Sequence, residues 1–137
     1  MENQKSNEYE RYELGICLHK ATKYCFIKII KLLLQYGADI NYIMFNQRPI
    51  HVLLNKYDIL LRRHNYTEKN YYKVLNLLIK NGSKLNEDRK NLVKSTLEVA
   101  INRIEDSNVI KILLENKAKP NVIIRKDENE SLLLNCI

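Results

Sequence analysis

Residues 28–41 read Lys28-Ile29-Ile30-Lys31-Leu32-Leu33-Leu34-Gln35-Tyr36-Gly37-Ala38-Asp39-Ile40-Asn41. The apolar positions Ile29, Ile30, Leu32, Leu33 and Leu34 leave Lys28, Lys31 and Gln35 to face water, which predicts a mostly buried helix with one solvated stripe. Gly37 ends it, because a residue just past a helix enters the left-handed region cheaply only as glycine. The phrase returns as Lys73-Val74-Leu75-Asn76-Leu77-Leu78-Ile79-Lys80-Asn81-Gly82-Ser83-Lys84-Leu85-Asn86, and again as Asn108-Val109-Ile110-Lys111-Ile112-Leu113-Leu114-Glu115-Asn116-Lys117-Ala118-Lys119-Pro120-Asn121. Three related copies predict a repeat protein, in which each helical unit is buried chiefly by its neighbours.

Composition bounds the rest. A chain of 137 residues is one domain's worth, and its three glycines and two prolines are too few to punctuate many strands, so the fold class expected is all-α. No apolar run reaches the length of a membrane span, and the polar start, Met1-Glu2-Asn3-Gln4, lacks the hydrophobic region of a signal peptide. A cytoplasmic protein is expected, with the nucleus as a second compartment. Cys17, Cys25 and Cys136 are odd in number and without metal-type pairing, as free thiols in a reducing compartment would be. The net charge of +7 belongs to the body of the chain, since the first fourteen residues set Glu2, Glu8, Glu10 and Glu13 against Lys5 and Arg11. Abundant Lys, Asn and Ile also mark an AT-rich genome, so the charge by itself does not specify a polyanionic partner.

Leu18-His19-Lys20-Ala21, then Ile29-Ile30-Lys31-Leu32-Leu33-Leu34, then Gly37-Ala38-Asp39-Ile40-Asn41 together resemble the ankyrin repeat, whose signature runs Thr-Pro-Leu-His-x-Ala, Val-Val-x-Leu-Leu-Leu, Gly-Ala-Asp-x-Asn. Ile16-Cys17 stands in place of Thr-Pro, and Cys25 where the family has a glycine between helices. A second copy opens at Arg48-Pro49-Ile50-His51-Val52-Leu53. A third opens at Ser95-Thr96-Leu97-Glu98-Val99-Ala100 and lacks both the histidine and the loop glycine. A fourth begins at Asn129-Glu130-Ser131-Leu132-Leu133-Leu134 and stops at Ile137. In its uneven, Asn-, Ile- and Lys-rich repeats the chain is most similar to the ankyrin proteins of large DNA viruses, the poxvirus type.

The expected organisation is a single ankyrin-repeat solenoid of about three helix pairs: an N-terminal cap at 1–14 and repeats at 15–41, 42–86 and 87–121, with a partial repeat at 122–137. Gly37 and Gly82 stand 45 positions apart and Gly82 and Lys117 stand 35 apart, against roughly 33 for one unit. The long interval predicts that both helices of the second repeat are extended, meeting at a basic, aromatic tip with Arg62, Arg63 and Tyr66, where Thr67 starts the second helix.

Cys17, His19 and Cys25 invite a cysteine nucleophile or half a zinc site. His19 and His51 instead hold the family's Leu-His position, which implies a ring that hydrogen-bonds backbone between repeats, and the two cysteines read as packing substitutions. Glu105, Asp106, Asp127, Glu128 and Glu130 read as solvated turns, because a single-layer solenoid seldom builds the walled pocket that a catalytic pair needs. The reading is a non-enzyme without metal or cofactor.

Two classes of partner follow. The first is a protein, a host intracellular factor if the chain is viral, held by hairpin tips and first helices. Tyr42, Ile43, Met44 and Phe45 are the expected hairpin contact, with Lys20, Lys23, Tyr24, Asn55, Lys56 and Arg103 on the same concave side and Arg62, Arg63 and Tyr66 as a second contact. The second is nucleic acid or another acidic surface, met by Lys28, Lys31, Lys73, Lys80 and Lys111 along the outer helices, although no aromatic residue is interleaved there to stack on bases. Leu132, Leu133, Leu134 and Ile137, rimmed by Glu128 and Glu130, predict self-association, or binding of another protein, through the C-terminal edge. A chain that stops inside a repeat also reads as a truncated remnant of a longer ankyrin protein.

Overall fold

The computed structural model describes residues 4–56, 68–104 and 106–120. They form six helices: α1 (Gln4–Lys23), α2 (Ile27–Gln35), α3 (Pro49–Asn55), α4 (Glu68–Lys80), α5 (Thr96–Arg103) and α6 (Ser107–Glu115). α1 packs on α2, α3 on α4 and α5 on α6, while the first helices α1, α3 and α5 lie side by side in a row and α2 lies beside α4. This is an all-α solenoid of stacked helix pairs. One core runs through it, built from Leu18, Ile30, Ile50, Leu53, Leu54, Tyr71, Val74, Leu75, Leu78, Val109 and Leu113 together with smaller side chains.

The first helix begins well before position 15, inside the stretch expected as an N-terminal cap. Residues 4–14 contain neither glycine nor proline, so the helix runs unbroken from Gln4 through Gly15. Gly15 is tolerated mid-helix because the ring of Tyr42 occupies the space a side chain would take, with its Cδ1 only 2.2 Å from where a Cβ would stand. Arg11 ties the same segment to the first loop, pairing with Asp39 at 3.0 Å.

Each second helix ends by the same two bonds. Gly37 N–H donates to the Leu34 carbonyl and Ala38 N–H to Leu33; Gly82 and Ser83 repeat this toward Ile79 and Leu78, and Lys117 and Ala118 toward Leu114 and Leu113. The closing residue is left-handed in all three, φ 94° at Gly37, 93° at Gly82 and 69° at Lys117. Cys25 takes φ 55° in the turn between α1 and α2, the place where the ankyrin pattern carries glycine.

α2 corrects one expectation. Only Ile30 of its apolar residues is fully buried, and Ile29 and Leu32 are 47% and 52% exposed. In α4 the residues at the matching positions are Val74, fully buried, and Leu77, half-buried. A helix pattern shows which side chains are apolar, whereas burial requires a neighbour on each flank, and among the described residues no helix lies on the outer flank of α2. In the second repeat α3 ends at Asn55, capped at Lys56, and α4 has thirteen residues where α2 and α6 have nine. The basic tip with Arg62, Arg63 and Tyr66 lies outside the described residues, as do Thr67, Glu105, Cys136 and the apolar C-terminal residues Leu132, Leu133, Leu134 and Ile137.

Candidate functional site

The repeats are joined by side chains that reach one unit ahead. Nε2 of His19 bonds the Tyr42 carbonyl oxygen at 2.6 Å, and Nε2 of His51 bonds that of Lys94 at 2.6 Å. Asn41 donates to the Gly82 carbonyl at 3.0 Å and accepts from Lys84 N–H at 2.8 Å, and Asn86 accepts from Lys119 N–H at 2.9 Å. These bonds set the spacing at which successive loops project. Two loops are hairpins, closed by bridges between Met44 and Gln47 and between Asp88 and Val93.

At the first tip Phe45 and Asn46 both have positive φ, 52° and 61°, the signature of a two-residue hairpin turn that normally carries Asn-Gly. Phe45 is 92% exposed. At the second tip Leu92 has φ 56° and is 70% exposed. A bulky residue in the left-handed region is strained, and an exposed one returns nothing to the core. Between the tips lies a groove of about 560 Å³, floored by α3 and α5 and lined by Phe45, Asn46, Gln47, Val52, Asn55, Lys56, Leu92, Lys94, Glu98, Val99, Asn102 and Arg103.

Among the residues expected from sequence, Phe45, Asn55, Lys56 and Arg103 meet in this groove. Tyr42, Ile43 and Met44 are half-buried, and Tyr42 serves packing: its ring lies on Gly15, edge-on to His19 at 6.4 Å, with the Arg11 guanidinium 5.8 Å from its centroid. Lys20 and Lys23 on α1, and Tyr24 just past its end, stand one repeat away, at the positions equivalent to Val52, Asn55 and Lys56. Tyr24 stacks on Phe26 with centroids 5.7 Å apart, and the Lys23 ammonium lies 5.3 Å from its ring. Leu92 and Glu98 are groove residues that the sequence reading missed. Glu98 occupies the histidine position of the third repeat, and that substitution was the available signal.

Residues 17–41 match the family model of the ankyrin repeat. No curated protein matches the chain. Ankyrin repeats serve as protein-interaction modules, and in them the hairpin tips and first helices are the surfaces left free by stacking.

Cys25 and His19 are taken up by burial and backbone bonding. Cys17 is exposed, Cys25 is buried, and burial pushes the Cys25 thiol up to about 11, away from the thiolate that nucleophilic chemistry needs. His19 is held at Tyr42, and burial holds its pKa below the ordinary value. Lys28, Lys31, Lys73, Lys80 and Lys111 are all exposed on the outer helices, and Lys111 lies 3.9 Å from Glu115. Among the described residues no helix is long and apolar enough to cross a membrane.

Proposed function

We propose that the chain is a non-enzymatic protein-binding module and that its contact is the groove between the Phe45 and Leu92 tips. The observation that supports it most is the pair of exposed apolar side chains held at left-handed φ on either side of one depression. Strain without burial has no return in folding, and such conformations cluster where binding uses them. Lys56, Lys94 and Arg103 outnumber Glu98 around the groove, which suits an acidic segment. Asn46, Gln47, Asn55 and Asn102 offer amides for the backbone of an extended chain. Lys20, Lys23 and Tyr24 continue the surface along α1 and the turn that follows it. The likeness to poxvirus-type ankyrin proteins makes a host intracellular protein the first partner to test.

Selection of a displayed random-peptide library on the wild-type chain tests this reading. Enriched peptides should carry an apolar residue flanked by Asp or Glu, and a Phe45→Ala/Leu92→Ala variant of unchanged thermal stability should bind them about tenfold or more weakly. Binding that ignores both substitutions would place the contact elsewhere.

A further inference from the structure

Two polar residues of the second repeat depart from the other copies of the pattern, and both border one recess. Arg48 holds the place of Ile16 in the first repeat and of Ser95 in the third, and Ser83 holds the place of Ala38 and Ala118. They line a depression of about 640 Å³ between the end of α4, the base of the hairpin at Asp88 and the end of α6, which shares no lining residue with the groove between Phe45 and Leu92. The Arg48 side chain is 3% exposed, and its Nε and Nη1 have no hydrogen-bond partner among the described residues; nor has the buried Oγ of Ser83. Buried donors of this kind are exceptions in folded proteins and call for an acceptor that the described residues do not supply.

The charges around them say which acceptor suits. Two carboxylates border the recess, but Asp88 is taken by Arg48 Nη2 at 2.9 Å and by Asn91, and Glu87 by Arg89 at 3.3 Å. That leaves Lys84 and Lys117, both exposed and outside any ion pair among the described residues. A water would meet the unpartnered N–H groups but not these ammonium charges, whereas a dianion with several acceptor oxygens meets both. We propose that the recess binds a phosphate group, with Arg48 and Ser83 bonding its oxygens from the wall and Lys84 and Lys117 closing on it from the rim. The free ion and a phosphorylated side chain of a partner protein present the same group.

Titration of the full chain with inorganic phosphate, against sodium chloride at matched ionic strength, tests the site. Phosphate should bind saturably and displace the Nε–H resonance of Arg48, which its loss in Arg48→Lys assigns. Arg48→Lys should weaken binding about tenfold or more, as the loss of a charge-assisted hydrogen bond does. Lys84→Ala/Lys117→Ala, which removes two exposed charges, should weaken it about threefold or more. Ser83→Ala, which restores the residue of the other repeats, should weaken it with the urea midpoint kept, and it carries the test with the lysine pair if Arg48→Lys does not fold. A phosphoserine tripeptide that binds more tightly than inorganic phosphate assigns the group to a partner protein, and one that binds less tightly assigns it to the free ion; either supports the site. Phosphate that acts no differently from chloride overturns the inference, since water would then fill the recess. So does acetate binding as tightly as phosphate, and so does phosphate binding that Ser83→Ala and the lysine pair leave unchanged.

Discussion

The His51 ring links the second and third repeats: its Nε2–H donates to the Lys94 carbonyl oxygen at 2.6 Å while Nδ1 accepts Arg48 N–H at 3.3 Å. With one nitrogen donating and the other accepting, the ring is neutral, and burial above all lowers its pKa to about 4. The unfolded chain, in which histidine titrates at about 6.5, then binds more protons than the folded one at mildly acid pH. Stability should therefore be full above about pH 6.5 and fall as pH drops toward 4, by at most about 1.4 kcal/mol per pH unit for this ring. His19 is shifted in the same direction and adds to the fall. Urea unfolding at pH 7.5 and pH 5 checks it; a profile equally steep in His51→Gln would assign the effect to other groups.

Asn41 makes both of its junction bonds with backbone, at Gly82 and Lys84, and does so at the exposed surface. Asn41→Ala removes one donor and one acceptor whose partners can turn to water, so the cost should be about 1–2 kcal/mol and not the larger penalty of a buried orphan. Thermal unfolding of the variant measures it. A change below a few tenths of a kcal/mol would mean that the first two loops are positioned by packing alone.

Leu77 and Leu78 separate what is legible in a helix pattern from what is not. Both are apolar in the repeated phrase, and truncating a core leucine costs about 2–5 kcal/mol. In the fold Leu78 is fully buried and Leu77 is half-buried. Leu78→Ala should show the full loss and Leu77→Ala a clearly smaller one. Equal losses in chemical denaturation would place α4 in a different rotation from the one described.

The same distinction runs through the molecule. Helices, loop ends and the histidine positions are legible because period 3.6, Gly37 and Gly82, and the Leu-His pair are local signals. Ile29 and Leu32 are misread as buried because the existence of a neighbour on the outer flank is not written in the helix itself. In the groove Phe45, Asn55, Lys56 and Arg103 follow from repeat position, but Leu92 acquires a role only when the second hairpin stands opposite the first. Tyr42, expected at a hairpin contact, lies half-buried over Gly15, a placement that joins residues far apart in the chain.

Lys117 holds the left-handed position that Gly37 and Gly82 hold in the other repeats, at φ 69° and exposed. Lys117→Gly should remove the Cβ strain, about 1 kcal/mol, against some entropy gained by the unfolded chain. A net gain of a few tenths to about 1 kcal/mol is expected. Gly82→Ala introduces the strain where it is now absent, and the open space around its Cβ isolates the effect from packing. Opposite signs in the two melting curves support the assignment, and equal signs would remove it.

Arg48 presents the sharpest asymmetry. It precedes α3, where a side-chain oxygen would cap the helix, yet its side chain is only 3% exposed and pairs with Asp88 through Nη2 at 2.9 Å, while Nε and Nη1 are buried without a partner among the described residues. Asp88 in turn accepts from Asn91, and those bonds, then Arg48, hold its carboxyl below the usual range. A buried charge costs most when its counter-charge is removed and least when it leaves with it. Asp88→Ala should therefore destabilise more than Arg48→Thr, which withdraws the charge and supplies the missing cap. The double variant should lie near Arg48→Thr, since Asp88 loses most of its work once the guanidinium is gone. Urea midpoints of the three proteins decide it: if Arg48→Thr proves the costlier single change, the ion pair is a net stabiliser and its unpartnered nitrogens carry no significant penalty.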